Sequence, residues 1–387
     1  MGVYSEYLDQ NMSFDEVTKM RKAQLKRISE IRGRDVLVYA SNWSSNIPNA
    51  PISIDPSDVL PFNDQLSNLH SKDIDIILET PGGVAEVVED FVSLIRKNHD
   101  HVGIIVPGTA KSAGTIFAMA ADELLMGSLS ALGPIDAQII SSGKRFSADA
   151  FLEGLKKIRD DAAKNKKLEL AYIPMLQNLS PGEIQEFENA QKFSKTLVKK
   201  WLKEYKFKNW TVHHSSGLPV TDKEKETRAE EIAAKLGDHS FWLTHARSIR
   251  IQDFRDMKLQ VTDFEENPDL NDAIMRYYTL LHMTFETNIY KIYETTTSQV
   301  YRSMGQMPPI ENRDIQKIPN PLVADVQCSK CGVGYKVQIN FGKEFPLEKG
   351  AIPFPKDNIF KCPNCGAESD VSNIRLSLEA QTGLKIM

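Results

Sequence analysis

Long apolar runs are missing from this 387-residue chain. The most hydrophobic stretch, Thr115 to Gly127, is broken by Asp122-Glu123, and no segment approaches the roughly 18 apolar residues a membrane helix needs. No membrane association is expected. The first residues, MGVYSEYLDQ, lack the apolar centre of a signal peptide, and Glu6 stands where a myristoylation pattern wants Ser or Thr. Charge of one sign is scarce too. Lys and Arg number 47 against 52 Asp and Glu, leaving a formal charge of -5 that argues against a general polyanion binder, so nucleic acid is not indicated. The local run Lys199-Lys200 with Lys203 reads as a solvated helix face. There are only four cysteines, in two close pairs. In a chain without an export signal such pairs point to metal ligation rather than disulfides, and to a cytoplasmic location.

What is present is globular. Hydrophobic residues make up 41% and charged residues 26%, enough to bury a core, and the length exceeds one typical core. One large domain plus a small one is the first expectation. Residues 13–32 have helical spacing, and Gly33 is a natural stop. Buried strands are read at 35–41, 73–80, 101–107 and 123–127, with helices at 84–98 and 112–121. Strands alternating with helices imply a mainly parallel α/β sheet. Residues 41–61 are too irregular to assign. From about 146 to 303 the texture is helical and charged, with a capping box at Ser180-Pro181-Gly182-Glu183 and a helix at 221–236. A final long helix, or two, is expected over 269–304. The proline-rich segment 305–322 reads as a linker.

The cysteines follow the pattern Cys328-x2-Cys331, then Cys362-x2-Cys365. Two such knuckles place four thiolates tetrahedrally about 2.3 Å from one zinc ion. Strand-like YKVQINF (335–341) lies between them, as in a zinc ribbon. All four positions are ligands, so the Zn2+ is structural. A module of this size has too little core to fold alone, and ligation should supply its stability.

Two other segments carry chemistry. In ETPGGVAEVV a strand gives way to a helix across Gly82-Gly83; in PGTAKSAGTIFAMAADE a strand ends and Ser112 opens the next helix. A glycine pair lets backbone amides approach a substrate without Cβ obstruction, as an oxyanion hole requires. By residue type alone the serine can equally be a helix cap, and the glycine pair a turn.

DIDIILETPGG, PGTAKSAGT and AADELLMGSLSALGPIDAQI, in that order, resemble the serine dehydrogenase proteinase family, a Clp-protease-like branch related to signal peptide peptidases. The likeness spans roughly residues 31–262, more loosely after 142. It implies a Clp-protease/crotonase-like spiral of β-β-α units, with added helices and a small β-rich zinc ribbon. It also implies Ser112 as nucleophile, an oxyanion hole from amides near Gly82, Gly83 and Ala113, and a homo-oligomer, trimeric or larger. The domains expected are an N-terminal helical segment (1–30), the peptidase domain with its helical extension (31–304), the linker (305–322), the ribbon (323–372) and a tail (373–387).

Serine needs a base. Clp protease places a histidine in the strand after the nucleophile's helix, where this chain reads GPIDAQ, with Asp136 and Gln138. Signal peptide peptidases use a lysine, whose loose counterpart is Lys144, giving a Ser-Lys dyad or a variant of one. Lys111 adjoins the nucleophile but points a different way along the chain. Asp136 and His245 are weaker candidates, and the base stays open among these. The function expected is an ATP-independent serine peptidase acting on protein or peptide substrates. The alternative is an inactive Clp-like scaffold that recruits a partner through its ribbon.

Overall fold

The structure, a computed structural model, describes residues 2–43, 47–141, 144–177, 179–213, 216–304, 320–382 and 384–387. The chain divides into two compact units, Met1–Gly305 and Gln306–Met387. The expected linker lies largely outside the described residues.

The larger unit begins with α1 (Val3–Leu8) and α2 (Phe14–Arg32). Helix α2 starts at a Ser13–Glu16 capping box and stops at Gly33, whose φ of 65° suits glycine. Then follow β1 (Asp35–Ser41), α3 (Val59–Leu66), β2 (Asp73–Glu79), α4 (Ala85–Arg96), β3 (His101–Val106), the short β4 (Thr109–Ala110), α5 (Ala113–Ala118), β5 (Glu123–Met126) and the short β6 (Ala131–Leu132). A hairpin of β7 (Gln138–Ser141) and β8 (Lys144–Ser147) leads into α6 (Ala148–Asn165), α7 (Ile173–Leu176), α8 (Pro181–Trp201), α9 (Asp222–Leu236), α10 (His239–Trp242) and α11 (Ile251–Asp256). The unit closes with β9 (Thr262–Asp263), α12 (Pro268–Phe285), β10 (Ile289–Glu294) and β11 (Gln299–Ser303).

Seven strands form one sheet in the order β11-β10-β1-β2-β3-β5-β9. From β1 to β9 the pairing is parallel, while β10 and β11 join antiparallel at the β1 edge. The parallel strands are buried on both faces, which is why they read as near-continuous apolar runs. Leu37, Tyr39, Ile76 and Leu78 pack towards α3, α4 and α5, where the Phe62 and Phe91 rings stack at 4.1 Å. Val36, Val38, Ile77 and Ile105 pack on the other face with Leu25 of α2 and with Ile274 and Leu281 of α12.

The expectation of one or two helices over 269–304 is corrected by the structure. Helix α12 ends at Phe285, and the remainder is the β10–β11 hairpin. The apolar residues of NIYKIYETTTSQVYRS are β-branched or aromatic, and pairing with β1 settles their state. This hairpin delivers Glu294 to the fully buried Arg21, which donates from Nε at 2.8 Å. Thr284 and Tyr301 complete the guanidinium's partners. A buried charge requires such pairing. Helix α3 fills part of the stretch left unassigned, and the β7–β8 hairpin was not expected. Lys199 and Lys203 pair with Glu226, as a solvated helix face would.

The smaller unit holds a three-stranded sheet of β12 (Leu322–Gln327), β13 (Gly334–Ile339) and β14 (Ala351–Pro353). It also holds the pair β15 (Ile359–Lys361) and β16 (Glu368–Asp370), then α13 (Ser372–Thr382). Its core is small: Val337, Ile339, Phe341, Phe354 and Phe360 with Cys328 and Cys362.

Candidate functional site

Ser112 is the N-cap of α5 and takes φ 51° and ψ -115°. A residue with a Cβ pays for that conformation, and such strain persists only where the surroundings over-determine it. Here they do. The Lys111 N–H donates to the Thr80 carbonyl at 3.0 Å, and the Gly114 N–H donates back to the Lys111 carbonyl at 2.7 Å. The Thr115 hydroxyl donates to Ala110 O at 3.0 Å and accepts from the Gly133 N–H at 2.9 Å. Strand β4 is bridged to Thr80 on one side and paired with β6 on the other. The serine is thereby turned out of a rigid frame and is half-buried, not sealed.

The glycine pair faces it. A Cβ on Gly82 would lie 2.6 Å from Lys111 O, 2.7 Å from Ser112 Cβ and 3.1 Å from Ala113 N. With φ 99°, Gly82 satisfies both the backbone shape and the close approach that only glycine allows. Gly83 lies against Ile54, where a Cβ would stand 2.2 Å from the Ile54 carbonyl oxygen. Ile54 clamps the turn, its N–H donating to Gly82 O at 2.8 Å and its carbonyl accepting from the Val84 N–H at 2.9 Å. The Gly82 N–H is engaged by the Thr80 hydroxyl at 3.1 Å. The N–H groups of Gly83 and Ala113 donate to no partner among the described residues. The Ala113 amide directly follows the serine, and the Gly83 amide belongs to the turn whose Gly82 packs on it.

The four candidates for the base have different settings. Lys144 opens β8, and its side chain lies outside the described residues. Lys111 turns away from Ser112. Its Nζ donates to Leu132 O at 2.9 Å, to Ser248 Oγ at 3.0 Å and to Arg247 O at 3.1 Å. Burial, with Arg250 nearby, lowers its pKa to about 8.

Asp136 and His245, by contrast, are brought together. Asp136 is wholly buried, and its Oδ1 lies 2.7 Å from His245 Nδ1. Its Oδ2 meets His239 Nδ1 at 2.9 Å. Burial alone would raise the Asp136 carboxyl, but the hydrogen bond and charge of His245, helped by Ser147 and His239, outweigh it and hold it below its ordinary range. Both imidazoles contact the carboxylate through Nδ1, which leaves each Nε2 for other work. Lys111 links this cluster to the serine. Its Nζ reaches Arg247, two residues past His245, and Gly133, three residues before Asp136, packs on its Cδ. The Leu132–Ile249 bridge ties the same two segments. His239 was missed by sequence reasoning. Its only signal was a second histidine six residues before His245, in a short stretch with no recognisable motif.

The four cysteine sulfurs of the smaller unit lie within 4.8 Å of one another. Cys328 and Cys365 Sγ are 3.7 Å apart, as are Cys331 and Cys362 Sγ. Four thiolates about 2.3 Å from a tetrahedral metal are about 3.8 Å apart, so the donor set fits. The two knuckles match: the Gly332 N–H donates to Cys328 O and the Gly366 N–H to Cys362 O, both at 2.9 Å. Gly332 and Gly366 have φ 74° and 71°. The Tyr335 hydroxyl, 3.5 Å from Cys362 Sγ, helps hold that thiol low.

Among known proteins, the chain is 29% identical over 144 residues to the uncharacterized protein MJ0137 of Methanocaldococcus jannaschii, covering 35% of this chain and 49% of that one. To MJ1495 of the same organism it is 24% identical over 188 residues, covering 49% and 51%. The chain thus spans about half the length of the curated relatives it matches. Among solved structures it is similar to the 1510-N membrane-bound stomatin-specific protease, at 16% identity and a TM-score of 0.30, covering 55% of this chain and 77% of that one. Among the described residues no helix is long and apolar enough to cross a membrane. The model of the ClpP-like SDH-type serine proteinases matches residues 11–213, more than half of the chain. That places on this chain the Clp-protease-like α/β fold expected from its motifs. The chain belongs to the ClpP-like SDH-type serine proteinases.

Proposed function

We propose that the larger unit is a serine peptidase in which Ser112 is the nucleophile, the Gly83 and Ala113 amides form the oxyanion hole, and His245 oriented by Asp136 is the base. The observation that carries the reading is the apposition of Gly82 and Ser112, with a virtual Cβ contact of 2.7 Å. The contact supports a reading in which a carbonyl is attacked by the serine and its developing oxyanion is stabilised by amides of the two turns. His245 Nε2 takes the Ser112 proton as Oγ bonds to the scissile carbonyl carbon. It then returns that proton to the leaving amine as the C–N bond breaks. Water, deprotonated by the same imidazole, releases the acyl group. Asp136 fixes the tautomer with Nδ1 protonated and stabilises the imidazolium that forms.

Zinc on Cys328, Cys331, Cys362 and Cys365 is the structural metal of the smaller unit in this reading. Assembly into a ring belongs to it as well, as does a protein or peptide substrate. A fluorophosphonate probe tests the nucleophile: labelling confined to Ser112 and abolished in Ser112→Ala is the expected result. Hydrolysis persisting in Ser112→Ala would refute the reading. His245→Gln should keep the fold and lose about a thousandfold or more in kcat. An unchanged kcat would return the base to Lys144. The inactive-scaffold alternative rests on a missing base, and the Asp136–His245 pair speaks for the peptidase reading instead.

A further inference from the structure

A cavity of about 890 Å³ lies beside α12 on the face of the sheet away from α5. That size matches small-molecule sites. Segments following the carboxyl ends of β1 and β5 contribute Asn42 and Leu129 to its wall. The crevice outside the carboxyl ends of parallel strands is where open α/β sheets bind ligands. Nothing in the proposed peptidase chemistry uses this cavity.

Its electrostatics lean one way. Helix α12, 18 residues long, ends at the cavity, so its carboxyl-terminal partial negative charge falls there. Glu286 lines it and accepts from the Tyr4 hydroxyl at 2.5 Å. Behind the wall stands Glu79, wholly buried. Its Oε1 is the shared target of Tyr278 OH, His282 Nε2 and Trp43 Nε1, at 3.1, 3.1 and 3.2 Å. Its Oε2 has no hydrogen-bond partner among the described residues. The arrangement is built in. Gly108 is needed for it, because a Cβ there would fall 1.9 Å from the Tyr278 hydroxyl oxygen. Among the described residues no lysine or arginine lines the cavity. Ile47, Pro48, Leu129 and Met275 form the apolar part of the wall, Asn42, Thr279 and Thr287 add uncharged polar groups, and Tyr4, Tyr278 and Phe285 supply rings that attract cations.

We infer that this cavity binds an organic cation, an apolar body ending in a protonated amine, with the amine towards Glu286 and the Tyr278–His282 wall. The Glu286 carboxylate, a helix carboxyl end and three aromatic rings favour a positive head. The apolar lining accommodates an alkyl chain and disfavours a small inorganic ion. The same chemistry is offered by a free alkylamine and by the side chain of a lysine residue.

Isothermal titration of the full chain with hexylammonium, hexanol and hexanoate tests the site, with N-acetyl-lysine methylamide as a further arm. Hexylammonium is expected to bind about tenfold more tightly than hexanol, the equivalent of one charge-assisted or cation–π contact, with hexanoate weakest. Glu286→Gln should cut that preference about three- to fivefold. Leu129→Trp, at a side chain 56% exposed, should occlude the cavity and abolish binding while leaving the melting temperature in place. Binding of both amines assigns the site to lysine side chains, and binding of hexylammonium alone assigns it to free amines; either supports the inference. Equal affinity for amine and alcohol, no binding by any probe, or a preference untouched by both substitutions overturns it. Hydrolysis by Ser112 has no part in these readouts, so the two proposals fail separately.

Discussion

At Ser112 the chain is held in an unfavourable backbone state by a hydrogen-bonded frame of Thr80, Ala110, Thr115 and Gly133 that leaves the Ala113 amide unengaged. At the cysteine knuckles the turns are relaxed, each with a glycine where the backbone needs one, but four thiols converge with only a small apolar core around them. The first site holds a strained serine at the cost of fold stability. The second has the donor set to draw stability from a metal. One chain therefore carries two routes to local order, and they should fail under different insults.

The largest expected effect is on the smaller unit. Cys362→Ser, or a strong chelator, should release the zinc and unfold that unit, since structural zinc supplies about 10–16 kcal/mol at neutral pH. Metal analysis and amide spectra of the full chain would check this. The larger unit's unfolding transition should stay where it was, and loss of both units together would break the contrast.

Next is Asp136→Asn, which should lower kcat about a thousandfold or more by leaving His245 in the wrong tautomer, while Ser112→Ala and Asp136→Asn combined lose little beyond either alone. Steady-state kinetics on the single and double variants would show it. Gly82→Ala is expected to destabilise the larger unit by about 3 kcal/mol, because the added methyl meets Lys111 O and Ser112 Cβ at a φ of 99°. Denaturant melts monitored separately for each unit would register a shift in the first transition only.

The smallest effect concerns Lys111. Its pKa is depressed from 10.5 to about 8. Between those values the unfolded chain holds the extra proton, so stability should rise as pH climbs from about 8 towards 10.5. Lys111→Met should flatten that rise by under about 1 kcal/mol once half-exposure is allowed for. Melts across that pH window would sharpen how far the frame around Ser112 tolerates charge.

Much of the fold was legible where a segment answers to one local rule. Strand β1 appears over 35–41 as read, and α2 spans 14–32 where 13–32 was read, because apolar runs and Gly33 act within a few residues. Residues 286–303 were not, because their state depends on pairing with β1 some 250 residues earlier in the chain. The same divide runs through the candidate site. The cysteines announce themselves by spacing and Gly82, Gly83 and Ser112 by the family likeness of their motifs, whereas His239 and His245 meet Asp136 only through tertiary packing. No pattern within either segment encodes that meeting. Lys144 drew notice through family likeness alone, and its side chain lies outside the described residues.

The Arg21–Glu294 pair has a consequence for biosynthesis. The guanidinium that must be neutralised belongs to the opening helix, and its carboxylate arrives 273 residues later. At roughly 5–20 residues per second, a nascent chain waits on the order of 15–55 s with that cation unmatched and one sheet margin uncovered. Any truncated product ending before Ile289 would carry both defects permanently, giving quality-control proteases a ready mark on incomplete copies.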